Sequence, residues 1–364
     1  MTKKACDYYR ELHRHPELSE QEYKTTEYLV SALADLGYQP VRVGSLGVYA
    51  DLVTSSSLPW LLFRSDIDAL PITEAGDISF PSEKPGVMHA CGHDAHMSML
   101  LEAAGRLKDK HLPQNIRFLF QPAEETTTGA AMMLAAQVMP PRCSAAFAMH
   151  VWPGVPKGTC ATKVGPMMAS SDVFQITCHG KSAHCARRET GADALMTAVD
   201  IVSAMPEIES LAEHDGTVLF CGSIHSGSSH NVVPDESVIR GTLRTFSEEK
   251  RARILDALKK TAAACAEKHG TRAASAWEGG CPAVNNDRRL VEMLPRVLEH
   301  IDTHACPVLA AEDFALYQRQ CPGVMIWLGL GPWHLLHTDS FYVPDEILPL
   351  GVENWCRLAE ENWS

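Results

Sequence analysis

The sequence predicts an α/β protein: a mainly parallel, open-sheet catalytic domain interrupted by a smaller ferredoxin-like α+β domain. Two observations lead there. Short apolar runs that read as buried strands alternate with helical patterns, and residues able to bind metal or move protons recur near the carboxyl ends of those runs. That is where ligands bind in an open parallel sheet. Between about residues 169 and 280 the pattern changes to β-α-β-β-α-β, the split βαβ order of ferredoxin-like domains. The predicted organisation is therefore 1–168 with 281–364 as one domain and 169–280 as the insertion.

Taken in order, Ser19–Glu22 (SEQE) reads as a capping box opening a helix. Leu29, Ala32, Leu33 and Leu36 continue at helical spacing, and Gly37 supplies a C-terminal stop. The run around Leu61–Phe63 is a buried strand that delivers Asp66 and Asp68 just past its end. After the turn MHACGHDAH, Met97, Leu100, Leu101, Ala104 and Leu107 fall on one helical face. Further strands are expected at Ile116–Phe120 leading into Glu124 and Glu125, at CSAAFAMHV with His150 near its end, and at Val324–Gly329 with His337 in the loop beyond. In the insertion, Asp172–Cys178, Thr217–Ile224, Glu236–Phe246 and Arg272–Trp277 read as strands. Ala192–Ala212, kinked at Pro206, and Glu248–His269, ended by Gly270, read as helices.

Chemistry concentrates in Met88–His96, which packs one thiol, three imidazoles and a carboxylate into nine residues. Cys91 and His93 offer thiolate and imidazole from one turn around Gly92, at a helix start whose dipole favours thiolate. Glu124 and Glu125 stand side by side, so one carboxylate can bind metal while its neighbour handles protons, as a hydrolytic metal site requires.

The chain has 364 residues, 45% hydrophobic and 21% charged, as expected of a two-domain globular enzyme. A formal net charge of −13 without a basic stripe argues against nucleic acid and against anionic membrane. No signal peptide and no membrane-spanning run is evident, and the twelve cysteines are scattered. They read as mostly reduced thiols of a cytoplasmic protein.

The motifs LHRHPELSEQEYKT, RSDIDALPI, MHACGHDAH, QPAEE, MHVWPGVPKGT, HGKSAH, NVVPD, GTLRTF, AEDFA and LHTDSFYVPDE occur in order along nearly the whole chain. Together they resemble the aminoacylase/carboxypeptidase metallopeptidases, in the amidohydrolase branch of hippurate hydrolases, auxin-conjugate hydrolases and N-acetyldiaminopimelate deacetylases. The resemblance implies that the inserted domain serves dimerisation or acts as a lid, and that the protein is a homodimer. It implies two divalent ions, zinc or manganese, held by Cys91, His93, Glu125, His150 and His337. Glu124 is then the general base and acid, with Asp66 and Asp68 orienting ligands or Glu124. His184 is expected to reach the partner's active site and steady an oxyanion, while Asn231 and Arg244 contact a substrate carboxylate.

His96 reads as a neighbour that does not bind metal, and Glu312 and Asp313 as closing the site wall or holding a ligand. The thiols and imidazoles of CHGKSAHC, Cys178–Cys185, are not expected to converge as a second metal cluster. Arg187, Arg188, Thr126 and His230 depart from the branch's usual pattern, which bears on substrate identity more than on metal chemistry. The expected reaction is hydrolysis of an N-acyl amino acid. Two alternatives stay open: Cys91 as the nucleophile of a thiol amidohydrolase, and a non-catalytic relative that binds metal or amino acid.

Overall fold

The computed structural model describes residues 3–213 and 216–363. The chain divides into two compact units, one of residues up to 167, 284–306 and from 313 on, the other of 168–283 with 307–312. The last segment departs from the expected division. Pro307–Glu312 belongs to the second unit because Ala169 donates its N–H to the carbonyls of Val308 and Ala310.

The first unit is built on a mixed sheet. Its central strands lie in the spatial order Val48–Leu52, Asn115–Gln121, Trp60–Asp66, Cys143–Pro153 and Gly323–Gly331. The last four are mutually parallel, and Val48–Leu52 joins Asn115–Gln121 antiparallel. Short segments complete the edges: Val41–Arg42 on one side, Cys160–Ala161 and Ile301–Asp302 on the other. Every residue of Trp60–Asp66, Asn115–Gln121 and Gly323–Gly331 is buried, as strands covered on both faces must be. The apolar runs in the sequence follow from that. Phe63, Phe118, Phe147, Trp355 and Trp363 lie in the core.

Two differences from the sequence reading concern the N-terminal region. A helix at Ala5–Arg14 was not anticipated, although its buried Ala5, Tyr8, Tyr9 and Leu12 have helical spacing. The next helix runs Tyr23–Asp35 and stops before Gly37, whose φ of +83° suits a residue without Cβ. Its expected capping box does not form. Ser19 Oγ instead donates to Asp68 Oδ2, and Glu22 Oε1 accepts the N–H of Ala123, because tertiary partners outcompete the local cap.

The second unit has four strands, Ser171–His179, Val218–Ser226, Glu236–Arg244 and Arg272–Cys281, with helices Ala194–Ser210 and Glu248–His269. All strand neighbours are antiparallel, in the spatial order second, third, first, fourth, which is the ferredoxin-like arrangement. The first helix continues through Pro206, and Gly270 ends the other at φ +65°. Ile176, Ile201, Ile239, Leu243, Ile254 and Leu258 form its separate core. Among the described residues no helix is long and apolar enough to cross a membrane.

Buried charge in the first unit is tightly paired. Arg64 donates to Gln121 Oε1 at 2.9 Å, Asp66 Oδ2 at 2.8 Å and Asp313 Oδ1 at 2.7 Å. His13 is enclosed between Asp94 Oδ2 at 2.6 Å and Glu74 Oε1 at 3.1 Å. Burial alone would lower its pKa, but the two carboxylates outweigh burial and raise it to about 9.

Because the folded pKa of His13 lies above its unfolded value near 6.5, its stabilisation is complete below about pH 6.5 and is lost as pH rises through about 9. Urea unfolding at pH 6 and pH 10 should differ by about 3 kcal/mol more for the wild type than for His13→Asn. Arg64→Met should destabilise the protein by roughly 3–5 kcal/mol in the same assay, since Asp66 and Asp313 then stay buried without their cation.

Candidate metal centre

The turn that presents Cys91 and His93 is possible only with glycine between them. Gly92 has φ +87°, and a Cβ there would lie 2.5 Å from Val151 Cγ2. The helix begins at His93. Glu124 and Glu125 follow the strand Asn115–Gln121 in a loop folded back on itself, with Ala123 O accepting from the N–H groups of Thr128 and Gly129. Gly129 tolerates no side chain, because a Cβ would fall 1.7 Å from Pro122 O. His150 lies within Cys143–Pro153. His337 arrives from the loop after Gly331 with φ +62°, its N–H held by Ala90 O at 2.7 Å.

These elements bring together donor atoms from four places in the sequence. Cys91 Sγ lies 3.4 Å from His150 Nε2 and 3.3 Å from His337 Nε2. Glu125 Oε1 is 3.4 Å from His337 Nε2 and 3.8 Å from His93 Nε2, and Glu124 Oε2 is 3.9 Å from that same nitrogen. Ligand atoms at about 2.1 Å from a tetrahedral ion are separated by about 3.4 Å, so this spacing suits a divalent cation. Two further facts favour the fit: His93 Nε2 and Glu125 Oε1 are buried without a hydrogen-bond partner.

The remaining ring nitrogens are oriented. His93 Nδ1 donates to Asp68, with 2.9 Å to its carbonyl and 3.2 Å to Oδ1, which leaves Nε2 facing the donors. His150 Nδ1 donates to Val151 O at 2.7 Å, to the same effect. His96 differs. Its Nε2 accepts the N–H of Val151 at 2.9 Å, so Nδ1 carries the proton donated to Asp66 Oδ1 at 2.7 Å. Neither nitrogen is left for a metal, although His96 sits among Asp66, His93 and His150.

The carboxylates of the centre call for positive charge. Burial would lower the pKa of His93, but Asp66, Asp68 and Glu125 raise it to about 10. Burial, reinforced by the neighbouring His96 and His93 rings, pushes His150 well down. The thiolate expected at Cys91 from the helix dipole is not favoured by the protein alone. Burial, then Glu125, Glu124 and Asp66, push the thiol well up, outweighing a helix end two residues away. A divalent cation would supply the charge that Cys91 and the surrounding carboxylates call for.

Asp68 and Asp66 are both buried and held below the usual carboxylate range against the cost of burial, chiefly by His93. Asp68 Oδ2 also accepts the N–H of Glu125 at 3.0 Å. Asp313, expected to close the site wall or hold a ligand, is buried with a carboxylate oxygen within 4.8 Å of one of Glu124, and it is also held by Arg64, Gln121 and the N–H of Ala130.

His184, Asn231 and Arg244 belong to the second unit. His184 is exposed on a short strand paired with Val232–Val233, Asn231 Oδ1 accepts from Ser229, and Arg244 ends the strand Glu236–Arg244. Cys178 is buried while His184 and Cys185 are exposed, so CHGKSAHC does not converge. Arg187 and Arg188 lie in the exposed 3₁₀ segment Cys185–Thr190.

With this geometry in view, the chain can be set beside known proteins. The profile of peptidase family M20/M25/M40 matches residues 62–361. The chain is 34% identical to the N-acetylcysteine deacetylase of Bacillus subtilis over 359 residues, covering 96% of this chain and 94% of that protein. It is 31% identical to the N-acetyldiaminopimelate deacetylase of Streptococcus uberis, covering 97% of each. The crystal structure of the Bacillus subtilis YXEP protein, described as a dinuclear metal binding peptidase from the M20 family, superposes with a TM-score of 0.86 at 33% identity, over 98% of this chain and 96% of that one. The mixed sheet, the clustered donors and the match over most of the sequence agree: this chain belongs to peptidase family M20/M25/M40.

Proposed function

We propose that the protein is a metal-dependent amidohydrolase that cleaves an N-acyl amino acid, carrying acetyl, benzoyl or a similar small acyl group, to a carboxylate and a free amino acid. One observation carries this reading: Glu124 stands beside a buried donor cluster in which His93 Nε2 and Glu125 Oε1 have no hydrogen-bond partner. Two relatives named as deacetylases of N-acetyl amino acids support the substrate class.

Cys91, His93, Glu125, His150 and His337 would hold two divalent ions. Cys91 Sγ and Glu125 Oε1 each face two imidazole nitrogens. Thiolate favours zinc, while the carboxylate admits manganese. When bound, the metal brings a water's pKa towards neutrality and polarises the acyl carbonyl. Glu124 would take a proton from the attacking water and return it to the leaving amine. Asp68 fixes the His93 ring and the backbone of Glu125, and Asp66 holds His96. His184 of the partner subunit steadies the oxyanion, and Asn231 with Arg244 binds the substrate carboxylate. A free Cys91 nucleophile is disfavoured, because its surroundings raise the thiol's pKa.

A homodimer formed through the second unit accompanies this reading. The strand Val218–Ser226 is a sheet edge, and Phe220, Ile224, Leu195, Met196 and Val199 are exposed apolar side chains on that unit.

Metal-loaded protein assayed on a panel of acyl amino acids should lose activity to a chelator and regain it with metal. Glu124→Ala should keep its metal, measured by atomic emission, yet lose about 10²–10⁴-fold in kcat; unchanged turnover would remove Glu124 from the base role. Sedimentation should show a dimer, and His184→Ala should lower kcat by about 10²–10³-fold with the dimer intact. An active monomer would refute both the assembly and the His184 role.

A further inference from the structure

The loop carrying Glu124 is held in an unusual conformation, and we propose that Glu22 is a positioning residue for the reaction: by accepting the N–H of Ala123, it sets the direction from which Glu124 enters the site. The inference rests on the role of Glu124 given above.

Ala123 has φ +53°, in the left-handed region that a residue with a Cβ occupies only when its surroundings hold it there. Those surroundings are identifiable. Its N–H is bound by Glu22 Oε1 at 2.7 Å, from a residue 101 positions earlier in the chain. Its carbonyl accepts from Thr128 N at 3.3 Å, Gly129 N at 3.0 Å and Thr126 Oγ1 at 3.3 Å. The next constraint comes just after Glu124, where Asp68 Oδ2 takes the N–H of Glu125. Two buried carboxylates thus grip the amides on either side of the proposed base. Turning Ala123 to ordinary backbone angles would swing the Glu124 side chain to another bearing.

A local structural role accounts for only part of what Glu22 touches, namely its own backbone and that of Glu20. It precedes the helix Tyr23–Asp35, but its side chain makes no capping bond there. It is fully buried, and its Oε2 has no hydrogen-bond partner. A carboxylate in such a place is costly, and burial pushes its pKa up to about 7. Its long-range contact, from Oε1 at 2.7 Å, is with the peptide that aims Glu124.

The test compares Glu22→Ala, Glu22→Gln and the double variant Glu22→Ala with Ala123→Gly. A glutamine retains an acceptor oxygen for Ala123, and glycine adopts the positive φ unaided. Amide hydrogen exchange of the 121–127 segment in metal-free protein should quicken at least about tenfold in Glu22→Ala and stay within about threefold in Glu22→Gln. With metal and an acyl amino acid, Glu22→Ala should lose about 30–100-fold in kcat, with KM and metal content little changed and the pH profile unmoved. Glu22→Gln should stay within about fivefold of wild type, and the double variant should recover several-fold over Glu22→Ala. Wild-type exchange and turnover in Glu22→Ala would overturn the proposal, as would Glu22→Gln as impaired as Glu22→Ala. Quickened exchange in Glu22→Ala, with a wild type that hydrolyses no acyl amino acid, would support the grip on Ala123 and overturn the reading of Glu124 instead.

Discussion

The pairing of buried charge along the carboxyl edge of the parallel strands is the constraint on which the first unit depends. Asp66, Asp68, Glu124, Glu125 and Asp313 come together where the sheet and its helices exclude water, and unpaired they could not stay ionised there. Arg64 answers Asp66 and Asp313 from within the sheet, His93 answers Asp66 and Asp68 from the helix, and the neutral His96 ring donates to Asp66. Around Cys91 and Glu125 the facing groups are imidazoles, and His93 Nε2 and Glu125 Oε1 are left without a hydrogen-bond partner. That is the place suited to a metal.

Precision at that place comes from backbone as much as from side chains. Gly92 permits the turn between Cys91 and His93, Gly129 lets the acidic loop close on Pro122, and His337 reaches inward with its own amide anchored on Ala90. Of the imidazoles proposed as ligands, His93 and His150 each have the second nitrogen tied to a carbonyl or carboxylate, while His337 is half-exposed. Such restraints fix ring direction before any ion binds, which lowers the cost of organising the shell.

The second unit folds around its own core and carries His184, Asn231 and Arg244. Its ferredoxin-like sheet leaves Val218–Ser226 at an edge, with apolar side chains outside, features that suit an assembly role more than a free surface. The division of labour is therefore chemical: the first unit concentrates buried ionisable groups, while the second presents exposed polar residues on antiparallel strands.

Much of this was legible in the sequence. Strands buried on both faces carry largely apolar runs, so those within Trp60–Asp66, Asn115–Gln121 and Gly323–Gly331 stood out, and the polar residues near their ends marked one edge of one sheet. The alternation of the insertion revealed its ferredoxin-like order for the same reason. Tertiary structure decided what depends on partners distant in the chain. It diverted Ser19 and Glu22 from a local cap to Asp68 and Ala123, buried Asp313 against Arg64, and occupied both nitrogens of His96. It also reversed the expectation for Cys91, because a helix end acts over one turn whereas burial and three carboxylates act from every side. Periodicity records which face of an element is dry; which polar atoms meet there is fixed only when the elements pack.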